Sequence, residues 1–214
     1  MNIALIGLGS MGYNLAKNMV SKNYQVNAFE KNMLIVENIK NDNIQNLYLL
    51  NSIQDLVDKT PSPRIIMLSL PADKIDKCIN DLIDHLNPTD IIADLGNSLY
   101  LKSMEREKLL SRFNISFLGI GVSGGPRGAK NGPAIMAGGS TNAWENVKNI
   151  FENISAKNDN ESACCYFGSS GSGHFVKLVH NGIEYALMEG LAEISNVLEF
   201  AYDMDNNQRT KRFK

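Results

Sequence analysis

The stretch "MNIALIGLGSMGYNLAKNMV" (residues 1–20) constrains the fold more than any other part of this chain. An apolar, strand-forming run leads into Gly7, Gly9 and Gly12, spaced G-x-G-x-x-G. A helical pattern with Met11, Leu15 and Met19 on one side follows. The spacing alone is weak evidence. Strand, tight turn and helix in succession are the context that a dinucleotide-binding turn requires. Gly7 permits the turn, Gly9 lets a pyrophosphate approach the backbone, and Gly12 lets the helix pack on the strand. The phosphates would sit against the free N–H groups and positive dipole end of the helix. Leu8, Ser10 and Met11 complete the turn as candidate cofactor contacts.

Short apolar runs then alternate with helical patterns. Residues 3–6, 25–29, 47–50, 65–70, 91–94 and 115–118 read as strands, and 11–21, 33–40, 53–58, 73–85 and 102–112 as helices. Nearly continuous apolar strands indicate a sheet covered on both faces. The expected fold is therefore α/β, a doubly wound, Rossmann-type, mostly parallel sheet. The glycine-rich block Gly119–Ser140 reads as loops around a short strand at 133–136. A helix at 142–154 and a last strand at 163–167 follow. "KNDNES" (157–162) reads as a solvated loop. One long helix, 173–202, precedes the tail 205–214, which shows no helical apolar period. The expected division is a dinucleotide-binding domain over 1–172, then a long helix and tail over 173–214 that would begin a truncated all-helical domain.

Glu30 closes the second strand near the ~20-residue interval at which an acidic residue meets the adenosine ribose. A carboxylate there favours NAD and repels a 2′-phosphate, whereas Lys31 and Asn32 beside it offer a phosphate a welcome. A net charge of −2 gives no footprint for nucleic acid. No run of ~18 apolar residues crosses a membrane, and the opening residues lack a secretory leader. Three cysteines, two of them adjacent, make no disulfide framework and no metal site; buried or inert thiols in a cytoplasmic protein are expected.

In the long helix, "GSGHFVKLVHNGIEYALMEG" (171–190) places Lys177, Asn181 and Glu184 at i, i+4 and i+7, with His180 on the flank. Val176, Val179, Ile183, Leu187, Leu191, Ile194 and Leu198 form the expected packed stripe. A Lys–Glu pair at this spacing is commonly a solvated surface. The glycines at 171, 173 and 182 point elsewhere, since they make room for backbone or ligand.

This segment, with "GLGSMG" (7–12), "DLGNS" (94–98) and "GVSGGPRGAKNGPAIMAGG" (121–139), resembles the 6-phosphogluconate dehydrogenase family of decarboxylating β-hydroxyacid dehydrogenases. The resemblance implies oxidation and decarboxylation of 6-phosphogluconate with hydride transfer to NAD(P). It implies Lys177 as general base and Glu184 as the acid that protonates the enediol. Asn97, Ser123, Gly124, Gly125, His180, Asn181 and Tyr185 would hold substrate. Asn97 would also face the cofactor, with Leu70, Pro71 and Ala72. The partners implied are a phosphorylated sugar acid, and a homo-oligomer or a helical domain.

Three departures stand out. Pro126 and Arg127 replace the acidic residues usual after "SGG". Glu30-Lys31-Asn32 replaces the Asn-Arg-Thr of NADP-using relatives, which favours NAD. The family's all-helical second domain extends further than this chain, as for a fragment or a naturally short relative. A β-hydroxyacid dehydrogenase of 3-hydroxyisobutyrate type and a non-catalytic dinucleotide-binding protein remain as alternatives. "HNGIEY" speaks against the first, and the paired Lys177 and Glu184 against the second.

Overall fold

In the computed structural model, residues 2–159 and 161–213 are described; Met1 lies outside them, as do Asn160 of the expected loop and Lys214 of the expected tail. The elements are β1 (Asn2–Ile6), α1 (Ser10–Ser21), β2 (Val26–Phe29), α2 (Met33–Asn41), β3 (Leu47–Leu50), α3 (Ile53–Asp58), β4 (Arg64–Leu68), α4 (Ala72–Ile83), β5 (Ile91–Asp94) and α5 (Tyr100–Ser111). They continue as β6 (Ser116–Ser123), α6 (Gly125–Asn131), β7 (Ala134–Gly139), α7 (Thr141–Ile154), β8 (Lys157–Asn158), β9 (Glu161–Ser162), β10 (Cys164–Tyr166), α8 (Ser172–Phe200) and α9 (Asn206–Arg212).

Eight strands form one sheet in the order β10-β7-β6-β5-β4-β1-β2-β3. All neighbours pair parallel except β6 and β7. Alternate residues of each strand serve opposite faces, which is why the strands read as continuous apolar runs. Ile3 and Leu5 pack with Leu15, Met19, Trp144 and Phe151 on one side. Ala4 and Ile6 pack with Ile75, Ile79 and Leu82 on the other. Asn18 is buried in the first layer and donates to the carbonyls of Ala129 and Ile154, which ties α1 to the end of α7 and to α6. The strand order reverses at β1, with β2 on one side and β4 on the other, both parallel to it, so the crevice at the carboxyl ends of β1 and β4 is the switch point at which such sheets bind ligands.

Residues up to Lys177 form one compact unit and Leu178 onward a second. In the second, α9 opens with a capping box at Asp205 and Gln208, and Arg209 pairs with Glu199 and approaches the Ser195 carbonyl. Among the described residues no helix is long and apolar enough to cross a membrane.

Several expectations change. The glycine block is more regular than a loop: β6 runs on to Ser123, α6 follows, and β7 returns antiparallel, paired from Leu118–Gly139 to Ser123–Ala134. Long-range pairing supplies the order that local composition disfavours. Lys157–Asn158 and Glu161–Ser162 pair as a two-stranded hairpin where a loop was expected. The tail contains α9, built on capping and charge without an apolar stripe. The expected packed stripe of α8 is largely exposed: Ile183, Leu187, Leu191 and Ile194 are each more than half exposed. Cys165 is exposed as well, unlike buried Cys78 and half-buried Cys164.

Candidate cofactor and active site

Gly7 stands at the end of β1 with φ +93°, a conformation open to glycine, and any side chain there would run into the Ser69 carbonyl. A Cβ on Gly12 would meet the Gly7 carbonyl, so α1 packs directly on the turn. Nothing lies within 4 Å of the Cβ position of Gly9, which leaves the outer side of the turn open. Gly9 is also the N-cap of α1. It offers no side-chain acceptor, and no acidic residue occupies the first turn. The N–H groups and the positive end of the helix dipole are thus left for an anion.

Glu30, just beyond β2, accepts the Leu8 N–H at 2.7 Å and the Asn32 N–H at 2.8 Å. Asn32 in turn caps α2 through the Leu34 N–H. The carboxylate is thereby fixed at the mouth of the glycine turn. A cleft of about 380 Å³ opens there, and Gly7, Glu30, Lys31 and Leu70 of the expected cofactor residues line it. Leu8 is instead a core side chain, 1% exposed, and contributes its backbone. Ile53, Lys74, Lys77 and Cys78 also line the cleft and were not singled out from sequence. The signal was present in α4, whose buried face carries Ile75, Cys78 and Ile79 and so turns Lys74 and Lys77 toward the adjoining rim. Pro71 and Ala72 lie exposed where α4 begins.

In "DLGNS" the buried Asp94 holds both sides of a turn. Its Oδ1 accepts the Gly96 N–H at 2.8 Å, and its Oδ2 accepts the Ser98 hydroxyl at 2.7 Å and Arg106 Nη1 at 2.9 Å. Asn97 is left exposed at the tip. Asp94, Ser98 and Arg106 are supports that spacing alone did not reveal.

The glycines of the β6–β7 hairpin admit the start of α8. A Cβ on Gly173 would strike the Gly119 and Met136 carbonyls, and one on Gly138 would strike the backbone of Gly173. A Cβ on Gly121 would stand 2.5 Å from the Lys177 Cβ. Half-buried Lys177 is thereby seated beside β6, which ends at Ser123 and is followed by Gly124 and Gly125. Gly124 and Gly125 have φ +122° and +60°. In the second unit, His180 Nδ1 lies 3.5 Å from Glu184 Oε2 and 3.4 Å from Asn181 Oδ1, and Tyr185 is exposed. Gly182 faces open space. Among the described residues no cluster of His, Cys, Asp and Glu could hold a metal.

The sequence model of the family described as the NAD binding domain of 6-phosphogluconate dehydrogenase matches residues 2–168. The chain belongs to the 6-phosphogluconate dehydrogenase family. Its first 168 residues carry that family's NAD(P)-binding domain, and the model of the family's C-terminal domain matches residues 173–214. The decarboxylating 6-phosphogluconate dehydrogenase of Buchnera aphidicola is 39% identical over 213 residues, covering 99% of this chain and 46% of its own length. The Plasmodium falciparum 6-phosphogluconate dehydrogenase, solved free, with NADP+ and with 6-phosphogluconate, is similar with a TM-score of 0.92 at 33% identity, over 99% of this chain and 46% of its own. The 3-hydroxyisobutyrate dehydrogenase of Mycobacterium tuberculosis has a TM-score of 0.81 at 20% identity, over 97% and 68% of the two chains, a likeness of fold alone. The chain spans about half the length of the curated relatives it matches.

Proposed function

We propose that this chain supplies the cofactor site and catalytic helix of a decarboxylating 6-phosphogluconate dehydrogenase. The observation that supports the reading is the seating of Lys177 against Gly121 of β6, the strand that ends at Ser123. A nicotinamide dinucleotide in the crevice supplies the hydride acceptor. Lys177 takes the proton of the C3 hydroxyl as hydride leaves C3, a role open to a lysine whose neutral form is made accessible by desolvation. The β-keto acid so formed loses carbon dioxide, its carbonyl receiving the electron pair. Glu184 then returns a proton to the enediol carbon and yields the pentulose phosphate. Ser123 and the N–H groups of Gly124 and Gly125 hold the carboxylate end. His180 and Asn181 hold hydroxyls, Tyr185 the phosphate, and Asn97 stands between cofactor and substrate. The cofactor-binding part is taken as residues 1–172, with 173–214 opening the helical part.

We favour NAD over NADP: a carboxylate just beyond β2, held by the Leu8 and Asn32 N–H groups, would accept from a ribose hydroxyl and repel a 2′-phosphate. The experiment is Lys177→Met, assayed with 6-phosphogluconate in the presence of the helical remainder that the relatives carry. Oxidation should fall by about 10²–10⁴-fold while cofactor binding stays intact. Near wild-type turnover would refute the assignment of the base.

A further inference from the structure

His174 is the first buried titratable group of α8, and no step of the proposed reaction uses it. It is 1% exposed. Its Nδ1 lies 2.6 Å from the Ser103 hydroxyl of α5, and a Cβ on Gly119 of β6 would stand 2.9 Å from the same nitrogen. The other nitrogen, Nε2, is buried with no hydrogen-bond partner among the described residues. A buried ring with one nitrogen clasped and the other unmet is costly to keep unless its place matters.

The ring bridges two parts of the site. Three residues along α8 from His174 is Lys177. Behind the ring lie Asp94 and Arg106, the pair that holds the "DLGNS" turn and so presents Asn97. Burial, the largest effect, together with the Arg106 guanidinium, holds the His174 pKa below the ordinary value of 6.5. The Asp94 carboxylate and the backbone of Gly96 and Asp94 act the other way. The ring is therefore neutral near pH 7, with Asp94 of β5 and Arg106 of α5 the charges that face it and Lys177 the nearest charge on its own helix. The Ser103 hydroxyl and Nδ1 share one hydrogen bond, whose direction follows the ring's tautomer.

We propose that His174 is a positioning residue for the reaction: clasped by Ser103 and lodged against Gly119, its ring sets the first turn of α8, and with it Lys177, against the turn that carries Asn97. The proposal rests on the functional reading above. Ser103 shares the role, since its hydroxyl holds the ring at Nδ1.

The test is steady-state oxidation of 6-phosphogluconate over the neutral to alkaline range by the wild-type protein with its helical remainder, and by its Ser103→Ala and His174→Phe variants. Cofactor affinity is measured separately by fluorescence titration. Ser103→Ala keeps the ring and its volume, and so serves even if His174→Phe does not fold. Both variants should lose about tenfold to a hundredfold in kcat, as a displaced base does, with cofactor affinity unchanged. The limb of the kcat profile that reports the base should shift along the pH axis as the surroundings of Lys177 change. A kcat within about twofold of wild type in Ser103→Ala would overturn the proposal. So would a lower kcat with an unshifted limb, which marks a purely structural pair. A wild type that binds cofactor yet oxidises no 6-phosphogluconate overturns the functional reading itself, and this role with it.

Discussion

Glu30 accepts the Leu8 N–H at 2.7 Å, so the acidic end of β2 is tied to the middle of the glycine turn. On the proposed reading, the same carboxylate also meets the cofactor ribose. Removing it in Glu30→Ala leaves the Leu8 N–H without its acceptor, at about 1–3 kcal/mol for a buried donor. The variant should bind both dinucleotides more weakly and lose its discrimination against NADP. Calorimetric titration of wild type and variant with NAD and NADP checks this. Wild-type protein that binds NADP tighter by about tenfold, ~1.4 kcal/mol, would overturn the preference for NAD.

Two glycines that look alike in the sequence should behave oppositely when replaced by alanine. At Gly121 the new methyl group meets the Lys177 Cβ at 2.5 Å. Overpacking of this kind costs about 1–3 kcal/mol and displaces the proposed base. At Gly182, inside α8, nothing lies within 4 Å. There alanine should stabilise by roughly 0.5–1 kcal/mol through helix propensity. Denaturant titration of the two variants gives the signs directly, and a destabilised Gly182→Ala would show that this helix face is closely covered.

The three thiols should separate by reactivity. Burial, and then the neighbouring Asp81 charge, pushes the Cys78 thiol up to about 12. Burial, then Glu152 and Cys165, does the same for Cys164, also to about 12. Reaction needs the thiolate, so neither should alkylate at neutral pH. Exposed Cys165 should label alone in native protein, with the other two following only on unfolding or at strongly alkaline pH. Mass spectrometry of iodoacetamide-treated protein reads this. Rapid native labelling of Cys78 would contradict its burial beneath α4.

The apolar side of α8 should make the chain associate. Ile183, Leu187, Leu191, Ile194 and Val197 are 59, 65, 53, 52 and 54% exposed. Contiguous large apolar residues of this kind mark an interface. Light scattering should show mass rising with concentration, and an apolar dye should bind until the helical remainder is added. A clean monomer without dye binding would count against it.

The local geometry of the candidate site that is built from near neighbours was legible in the sequence. Gly7, Gly9 and Gly12 belong to one strand–turn–helix, and the order strand, turn, helix is set by residues a few positions apart. The same holds for Glu30 at the end of β2, and for the helical period that aligns Lys177, Asn181 and Glu184 on α8. Tertiary structure decided whatever depends on a partner far along the chain. Gly119, Gly121 and Gly138 read as a loop-forming cluster because glycine disfavours a strand on its own. Pairing of β6 with β7 made them strands, and the absence of side chains made them the floor on which Gly173 and Lys177 rest. Asp94 reads as the end of a strand, and its grip on Ser98 and Arg106 exists only once α5 has packed alongside. His174 reads as one more polar residue in a helix; its closure against Ser103, 71 residues away, is set by packing. Local spacing determines which backbone conformations are cheap. Which side chains come to share a buried volume is settled by the sheet order, because burial leaves each polar atom dependent on the neighbour it meets there.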